Sequence, residues 1–487
     1  MARAGLWWLS RDFRMQDNSA LLAALSDGPL LPIFFIDQLT LAQGAASRWR
    51  LERGMRALDA ALRKRTGGQG LVVLRGEPDV ILPRIMSSLG LHNLHQSDWP
   101  TPGMRQLQHR VEAALDPIGA RLSRHMGHLL IHPSRIRTNT GTTYKVYSPF
   151  ARALRREGPD RPVGDAPAHI TAFSAAFPEI GLEPVDLPTL DLAPDLQRGR
   201  PALEHFALPA GESAAHHRLD AFFERARSYS AGRDRPDLEA TSNLSEHLAL
   251  GEISPRSLWA IASLKVELDP ASAAGITHFL SEVAWREFAW HLLIEAPDLP
   301  QLCWRREWEA FPWRKNGAAL QRWQKAQTGV ALVDAGLREM WLTGRMHNRV
   351  RMVVASWLTK HLLTDWRAGL AHFEDCLTDW DPAANAMNWQ WVAGCGPDAS
   401  PYFRIFNPMR QQEQFDPHSI YCKRWLTGFE GSATPEAGFW AQSIPFSWGT
   451  AEKWRAGSSK DLSTGREAAL QALSQFRTLL EESRDDL

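Results

Sequence analysis

One arginine and two aspartates in the last third of the chain are spaced so that they could form a buried ion pair. Asn348 and Arg351 lie three residues apart in RMHNRVRMVVASWLTKHLLTDW, so they share one face of the helix that this stretch predicts. Asp379 and Asp381 follow closely in LTDWDPAAN. Spacing alone favours an ordinary structural ion pair over a ligand site.

A segment rich in hydroxyl groups precedes another helical stretch. The sequence ATSNLSEHLALGEIS at 240–254 supplies Thr241, Ser242, Asn243 and Ser245. Hydroxyls and free backbone N–H groups at a helix start suit a phosphate. The same residues are typical of a simple N-cap, and Ser245 could cap the helix by itself. The pattern alone favours the N-cap.

Tryptophan and cysteine are used in unusual ways. The chain has 21 Trp against 5 Tyr, a use that suggests rings that stack, pack or carry charge, although any single Trp is ordinarily a core residue.

The four cysteines lack C-x-x-C spacing, which argues against zinc, iron–sulfur and disulfide sites. We therefore predict isolated buried thiols and no metal.

Bulk composition is that of an ordinary globular protein. Lys plus Arg equals Asp plus Glu at 55 each, so the whole chain lacks the positive balance of an obligate nucleic-acid coat, although a local basic face remains open. There is no apolar run long enough to cross a bilayer. The start, MARAGLWWLSRDFRMQDN, is too short in its apolar part and too charged for a secretory signal. We expect a soluble cytoplasmic protein.

The order of apolar runs predicts two domains and a connector. In residues 1–135, short apolar runs such as LWWL, LPIFFI and GLVVL alternate with helical segments, which indicates an α/β domain with a parallel sheet. Residues 136–215 are rich in Pro and Gly and predict a long linker wrapped over the surface, with one short helix around Phe150 to Arg155. Residues 216–487 show helical spacing almost throughout, which predicts an all-α domain.

Five segments of this chain resemble signatures of the DNA photolyase and cryptochrome family in their order and spacing. They are LWWLSRDFRMQDNSAL at the start and, further along, TSNLSEHLALGEIS, TGRMHNRVRM, LLTDWRAG and DPAANAMNWQWVAGCGPDASPYFRIFNP. The resemblance is strongest from Tyr229 to Trp425 and is closest to bacterial cyclobutane pyrimidine dimer photolyases. It implies a Rossmann-like N-terminal antenna-type domain and a helical C-terminal domain that holds FAD.

The resemblance implies that a set of specific residues binds FAD. They are Tyr229, Thr241, Ser242, Leu244, Ser245, Glu282, Arg286, Asn348, Arg351, Asp379, Asp381 and Asn385. Arg351 and Asp379 resemble the ion pair beside the flavin ring. Asn385 stands where the family faces flavin N5; plant cryptochromes have Asp there, whose proton favours a neutral radical. An amide donates no such proton, so Asn385 favours repair over signalling.

The resemblance also implies catalytic and substrate roles. Trp389, Trp366 and Trp313 resemble an electron-transfer chain that runs from the flavin toward the surface, and Glu282 and Asn385 complete the catalytic set. Residues that resemble the pocket for a flipped-out dimer and its flanking DNA are Trp285, Asn348, Arg349, Met352, Trp391 and Arg404, with Arg345 and Lys423 as further candidates for phosphate contact. Arg345 and Phe279 depart from the family, where many members have Trp.

The implied function is light-driven repair of cyclobutane pyrimidine dimers in ultraviolet-damaged DNA by electron transfer from excited reduced FAD. The implied carbon–carbon lyase acts as a monomer in the bacterial cytosol, at the nucleoid when bound to DNA. A methenyltetrahydrofolate or deazaflavin antenna is left open. The alternatives are a cryptochrome-type photoreceptor, a binding module that lost the flavin, and a (6-4) photoproduct photolyase, whose animal type has His where this chain has Met352.

Overall fold

The computed structural model describes residues 4–315, 317–398, 403–449, 453–457 and 460–485. A five-stranded parallel sheet forms the N-terminal part, with strand order β3-β2-β1-β4-β5. The strands are β1 Gly5–Trp8, β2 Leu30–Ile36, β3 Val72–Arg75, β4 Asn93–Ser97 and β5 Arg121–His125. The predicted parallel sheet is confirmed. Strands β1 and β2 are buried along their whole length, as expected for strands covered on both faces.

Five helices accompany the sheet. They are α1 Ser19–Asp27, α2 Gln38–Leu41, α3 Ala45–Thr66, α4 Pro78–Leu89 and α5 Pro102–Leu115. The chain builds β2 and β3 on one side of β1 and then returns to build β4 and β5 on the other. This reversal creates a crevice at the carboxyl ends of the central strands, where open α/β sheets commonly bind ligands.

The predicted linker packs on both parts of the molecule, since Phe150 and Leu154 join the core of the helical domain and its middle covers the sheet. It contains α6 Tyr147–Glu157, which includes the short helix predicted there, and α7 Arg200–His205. Its leucines Leu187, Leu190 and Leu192 belong to the apolar core beneath the sheet. Val185 N also donates to Val73 O of β3 at 2.8 Å. The connector therefore covers one face of the N-terminal domain.

The rest of the described chain is helical, as predicted. The helices are α8 Glu212–Phe223, α9 Tyr229–Gly232, α10 Ser245–Leu250, α11 Pro255–Leu268, α12 Ala273–Glu295, α13 Gly317–Gln324, α14 Ala331–Thr343, α15 Asn348–Ser356, α16 Trp366–Cys376, α17 Pro382–Ala393, α18 Pro408–Phe415, α19 Ile420–Trp425, α20 Pro435–Ser443 and α21 Lys460–Asp485. A π-helical turn, Trp357–His361, continues α15. No helix among the described residues is both long and apolar enough to span a membrane.

A buried ion-pair network joins the two parts of the molecule. Arg50 of α3 contacts Glu246 of α10 at 2.9 Å and Glu252 at 2.7 Å, and all three side chains are almost fully buried. Breaking such a network by removing one partner typically costs about 3–5 kcal/mol, because a buried charge is left alone. The network fixes α10, and with it the hydroxyl-rich segment, against the sheet domain.

All four cysteines are buried and free, as predicted. They are not all isolated, however. Interaction with the thiol of Cys395 lowers the pKa of Cys303. The two residues lie 92 positions apart (395 minus 303), so no local spacing pattern could have shown that they meet.

Candidate functional site

Two aspartates just before α17 lie at the centre of the candidate site, and each has an arginine beside it from a different helix. Arg351 of α15 donates through Nη2 to both oxygens of Asp379, at 3.0 and 2.7 Å. Its Nε donates to Met346 O at 2.8 Å, which fixes the guanidinium plane. The carboxylate is buried and the guanidinium partly exposed. The ion pair expected from the spacing is therefore formed.

Asp381 performs a structural and an electrostatic role together. It caps α17 by accepting from Ala384 N at 2.8 Å, and its other oxygen accepts from Trp290 Nε1 at 2.9 Å. Arg286 Nε of α12 lies 3.6 Å from the same oxygen, and Arg286 Nη1 donates to His128 O at 3.0 Å. Burial lowers the pKa of Arg286. Helices α12, α15 and α17 thus converge on these two carboxylates.

Asn385 lies one turn into α17, and it is only 8% exposed. Its Nδ2 donates to the carbonyl of Asp381 at 3.0 Å. The amide oxygen and the second Nδ2 hydrogen of Asn385 therefore remain for another partner. A short polar residue at this position places an acceptor directly beside the two ion pairs.

The faces of α12 and α15 extend the site outward. Glu282 lies one turn before Arg286, and Asn348 lies one turn before Arg351, so each shares a helix face with an arginine that reaches Asp379 or Asp381. Glu282 forms an ion pair with Arg233 through one carboxylate oxygen. Asn348 is exposed, as a residue at the mouth of a site should be.

Trp285 forms part of an aromatic wall. Its ring stacks on Tyr147 of α6 with centroids 3.6 Å apart and planes 7° from parallel. Tyr147 donates its hydroxyl to Ser281 O at 2.8 Å, which holds the pair against α12. Half of this wall therefore comes from the segment that the sequence predicted as linker.

The hydroxyl-rich segment does not cap α10. The helix begins at Ser245, its N-cap is the buried Leu244, and no side-chain capping bond is formed. Asn243 adopts a left-handed conformation, with φ of 52°, and accepts from Thr241 Oγ1 at 3.3 Å. The N-cap explanation is wrong for Ser245. Among the described residues, Ser242 and Ser245 have no hydrogen-bond partner for their hydroxyls.

Tyr229 closes the same region from α9. Its buried ring meets Phe222 and Phe279 edge-on at 5.3 and 6.2 Å, and the Arg233 guanidinium lies 5.6 Å above it. Burial raises the pKa of Tyr229 to about 12, so the hydroxyl stays neutral and can donate. Phe279, which departs from the family pattern, serves here as a packing partner of Tyr229.

The three tryptophans proposed as a chain lie in adjacent segments. Trp389 of α17 packs directly on the backbone of α16 at Gly369. The contact is so close that a Cβ added at Gly369 would lie 2.2 Å from the Trp389 ring. Gly369 is one turn along α16 from Trp366, which is fully buried. Trp313 precedes Arg314, whose N–H donates to Leu363 O, three residues before Trp366, at 2.7 Å. Trp313 is half-buried, so the series runs from the core toward the surface.

The outer basic residues differ in how much of their charge is already paired. Arg349 donates to Asp234 at 2.7 Å, and Lys423 contacts Glu430 at 2.8 Å. Arg404 is exposed and lies 6.0 Å from the half-buried ring of Trp391. Arg345 points inward: it contacts Glu246 at 3.2 Å and donates to Phe206 O at 3.0 Å. Arg345 is therefore engaged within the protein, where the sequence had suggested a phosphate contact.

Comparison with known proteins agrees with this arrangement. Residues 5–168 match a family model for DNA photolyase, and residues 279–454 match one for the FAD binding domain of DNA photolyase. A deoxyribodipyrimidine photo-lyase of Agrobacterium fabrum is 40% identical over 428 residues, which is 87% of either chain. The chain belongs to the DNA photolyase family.

Solved structures of this family share the whole fold. A bacterial class III photolyase from Agrobacterium tumefaciens is 36% identical, with a TM-score of 0.84 over 98% of both chains. A cryptochrome of Synechocystis is 24% identical, with a TM-score of 0.79 over 97% of this chain and 99% of its own. The second comparison shows that photolyases and cryptochromes share this architecture, so the fold does not separate repair from signalling.

The residues present fit FAD. Ser242 and Ser245 offer hydroxyls with no partner among the described residues, which suits phosphate oxygens. Buried Arg286 Nε has no hydrogen-bond partner in the part of the chain that the structure describes. The Arg351–Asp379 pair and the Asn385 amide are polar groups of the kind that could hydrogen-bond the edge of a flavin ring. These donors and acceptors are compatible with FAD, in agreement with the matched FAD-binding domain.

Sequence reasoning missed four contributors to the site. They are His128, Tyr147, Arg233 and Asp234. His128 and Tyr147 lie more than a hundred positions from the helix they contact, and nothing in their local sequence signals that contact. Arg233 and Asp234 lie in SAGRDRPD between two motifs, where a charge run is ordinarily a solvated turn.

Proposed function

We propose that this protein repairs cyclobutane pyrimidine dimers in DNA under light, with reduced FAD as its cofactor. The observation that carries the proposal is the convergence of α12, α15 and α17: the same helix faces that bear Arg286 and Arg351 continue outward to Glu282 and Asn348. A ring held at the inner end of these faces would lie next to a base held at the outer end.

Bound FAD would supply an electron to the dimer on excitation and take it back after the ring has split. The protein's own task is to hold charge and orientation. Arg351 carries one positive charge that Asp379 balances, so the pair tolerates added negative charge nearby at little reorganisation cost. Asn385 offers an amide in place of an acid, so it can orient a neighbouring group without donating a proton.

The outer part of the site suits two adjacent flipped bases. Trp285 and its stacked partner Tyr147 present a flat apolar wall, and stacking on such rings offsets the cost of extruding a damaged pair. Glu282 uses one oxygen for Arg233 and keeps the other for a base edge. Met352 adds an apolar contact where a (6-4) enzyme of the animal type would require a titratable histidine.

We also propose a position for a second, antenna chromophore. The crevice beyond β1 and β2 is lined by Arg11, Gln43 and Trp99, and the Arg11 guanidinium lies 4.9 Å from the Trp99 ring. The present cavity there holds only about 20 Å³. A folate or deazaflavin ring would therefore have to displace the hydrogen bond between Arg11 and Gln43.

Lesion preference is the test of this proposal. Chemically reduced protein is illuminated with two oligonucleotides, one carrying a cyclobutane thymine dimer and the other a (6-4) photoproduct, and each product is quantified by chromatography. We expect repair of the first only. Glu282→Gln should slow it, whereas Glu267→Gln on the exposed face of α11 should leave it unchanged. Repair of the (6-4) product alone would reassign the substrate, and repair of neither would favour a photoreceptor.

A further inference from the structure

A second cavity lies in the helical domain. It has a volume of about 630 Å³ and lies between α13, α14, the π-helical turn and the segment 453–457. None of the residues to which we assigned flavin or dimer contacts lines it. Its volume falls in the range of small-molecule sites. We refer to it as the cationic cavity.

The charged residues that line this cavity are mostly basic. Arg314, Arg322, Lys453 and Arg455 are exposed at its rim, and Arg338 lies inside. Asp334 is the only acidic residue among the described residues that line it.

The oxygens of Asp334 are already occupied. They accept from Thr328 N at 2.9 Å, Gly329 N at 2.9 Å and Trp454 Nε1 at 2.9 Å. Burial raises the pKa of Asp334, and its charge opposes the fall in the pKa of Arg338 without a direct ion pair between the two. The cavity therefore has a large excess of positive charge that its own wall does not balance.

Arg338 gives the strongest evidence that the cavity binds an anion that is not part of the protein. Its side chain is 3% exposed, and no ion pair or hydrogen bond engages its guanidinium within the described part of the chain; Nε is a buried donor with no acceptor. The group lies 5.0 Å from the Trp440 ring, which is a weak partner for a full charge. Burial lowers the pKa of Arg338 to about 10, so it is still charged at neutral pH. A buried unpaired cation is costly unless an anion joins it.

Two more buried groups in the wall lack partners. In the described chain, Trp357 Nε1 and His361 Nδ1 have no hydrogen-bond partner, and both residues line the cavity. Their rings stack with centroids 4.5 Å apart and planes at 21°. Burial lowers the pKa of His361 to about 4, so its ring is neutral and offers either a donor or an acceptor. This flat pair supplies directional polar groups beside the cations.

We propose that the cationic cavity binds a nucleotide, with its phosphates on Arg338 and the rim cations and its base near Trp357 and His361. Arginine forks match phosphate oxygens, and the cavity has room for one nucleotide. A DNA duplex is a poorer match, because its backbone could reach Arg314 and Arg322 at the rim but not a guanidinium that is 3% exposed. The site is independent of dimer repair.

The experiment measures ADP binding to FAD-saturated protein by calorimetry, with inorganic pyrophosphate and adenosine as parallel probes. FAD saturation blocks the flavin site, and a dimer-containing oligonucleotide added afterwards occupies its mouth. We expect one ADP per chain, weaker binding of pyrophosphate, little of adenosine, and no displacement by the oligonucleotide. Absence of ADP binding at millimolar concentration, or its displacement by the oligonucleotide, would overturn the proposal. Equal affinity for pyrophosphate would overturn the nucleotide assignment.

Two variants localise the site. Arg338→Gln should weaken ADP binding by about tenfold to a hundredfold, as loss of a charge-assisted contact does. Because Arg338 is buried, its melting temperature and FAD content are compared with the parent. The exposed change Arg322→Glu should weaken ADP binding without affecting folding, and Arg121→Glu, exposed on β5, is the matched control. Unchanged affinity in both Arg338→Gln and Arg322→Glu would contradict the assignment.

Discussion

The arginines of the photolyase site lie beside carboxylates, whereas the buried arginine of the cationic cavity is not paired with one in the described part of the chain. In the photolyase site, Arg351 is paired with Asp379, and Arg286 lies close to Asp381. In the cationic cavity, no carboxylate from the described part of the chain pairs with Arg338, and the rim cations outnumber the one acid among the described lining residues. A site with balanced charge suits a large ligand that is bound mostly through its shape and ring system. A site with unbalanced charge is complete only when an anion is present.

The largest effect is expected at the paired site. Asp379→Asn leaves Arg351 beside the ring without its counter-charge, at a cost on the order of 3 kcal/mol. FAD affinity should fall about a hundredfold, measured as the flavin-to-protein absorbance ratio after dialysis. ADP binding in the cationic cavity should not change. Asp298→Asn, which breaks an exposed ion pair with Arg306, is the control and should retain full flavin. Retained flavin in Asp379→Asn would contradict the central role of the pair.

The tryptophan series predicts a kinetic effect without loss of either ligand. Trp389→Phe should slow photoreduction of oxidised flavin, because an indole that oxidises readily is replaced by a ring that does not. Repair by flavin that has been reduced beforehand should be unaffected. The smaller ring costs about 1–3 kcal/mol of stability. Trp425→Phe, equally buried at 3% exposure, controls for packing and should photoreduce normally. Equal photoreduction in both variants would exclude Trp389 from the route.

Acid should weaken the photolyase site through His347. Burial lowers its pKa to about 4, with Asp234 opposing and Arg349 and Arg351 reinforcing the shift. The unfolded chain therefore binds the proton more readily, so stability is full above pH 6.5 and falls as pH drops toward 4. This shift corresponds to a loss of about 2–3 kcal/mol over that range. His347 Nδ1 also caps α15.

His347→Asn keeps a capping acceptor and removes the titration. The fall in melting temperature between pH 6.5 and 4 should be shallower in this variant than in the parent. An identical pH profile would show that other groups control acid unfolding.

The smallest structural effect is expected at Asn385. Asn385→Asp should keep the fold, because the exchange loses only the Nδ2 bond to the Asp381 carbonyl, which is worth about 1 kcal/mol. The chemical effect should be clear: a carboxyl can transfer a proton where the amide cannot. The absorption spectrum recorded during illumination should therefore differ from the parent. An unchanged spectrum would place Asn385 away from the reactive edge of the flavin.

The sequence predicted the parts of the fold whose signals are local. The apolar runs of β1, β2 and β3 were found, whereas β4 and β5, with sequences NLHQS and RLSRH, are too polar to be recognised as strands. The burial of β4 depends on neighbours that a window of sequence cannot show, and β5 is a partly exposed edge strand with no buried residue.

The same distinction holds for the site. Arg351 and Asp379 belong to two adjacent motifs, so their pairing could be anticipated. The stack of Tyr147 on Trp285 and the ion pair of Arg233 with Glu282 join distant segments and appear only in the folded chain. The cationic cavity is a stronger example, because Arg338 lies in an unremarkable helix and its missing partner is a property of its surroundings.

Light-dependent recovery of thymine absorbance tests the central claim most directly. Purified protein with reduced FAD is mixed with an oligonucleotide that carries one cyclobutane thymine dimer, and matched samples are kept in blue light and in the dark. The arrangement of Arg351, Asp379, Asn385 and Trp285 predicts recovery in the light and none in the dark. No recovery in the light from protein that retains reduced FAD would contradict the repair function and favour a photoreceptor.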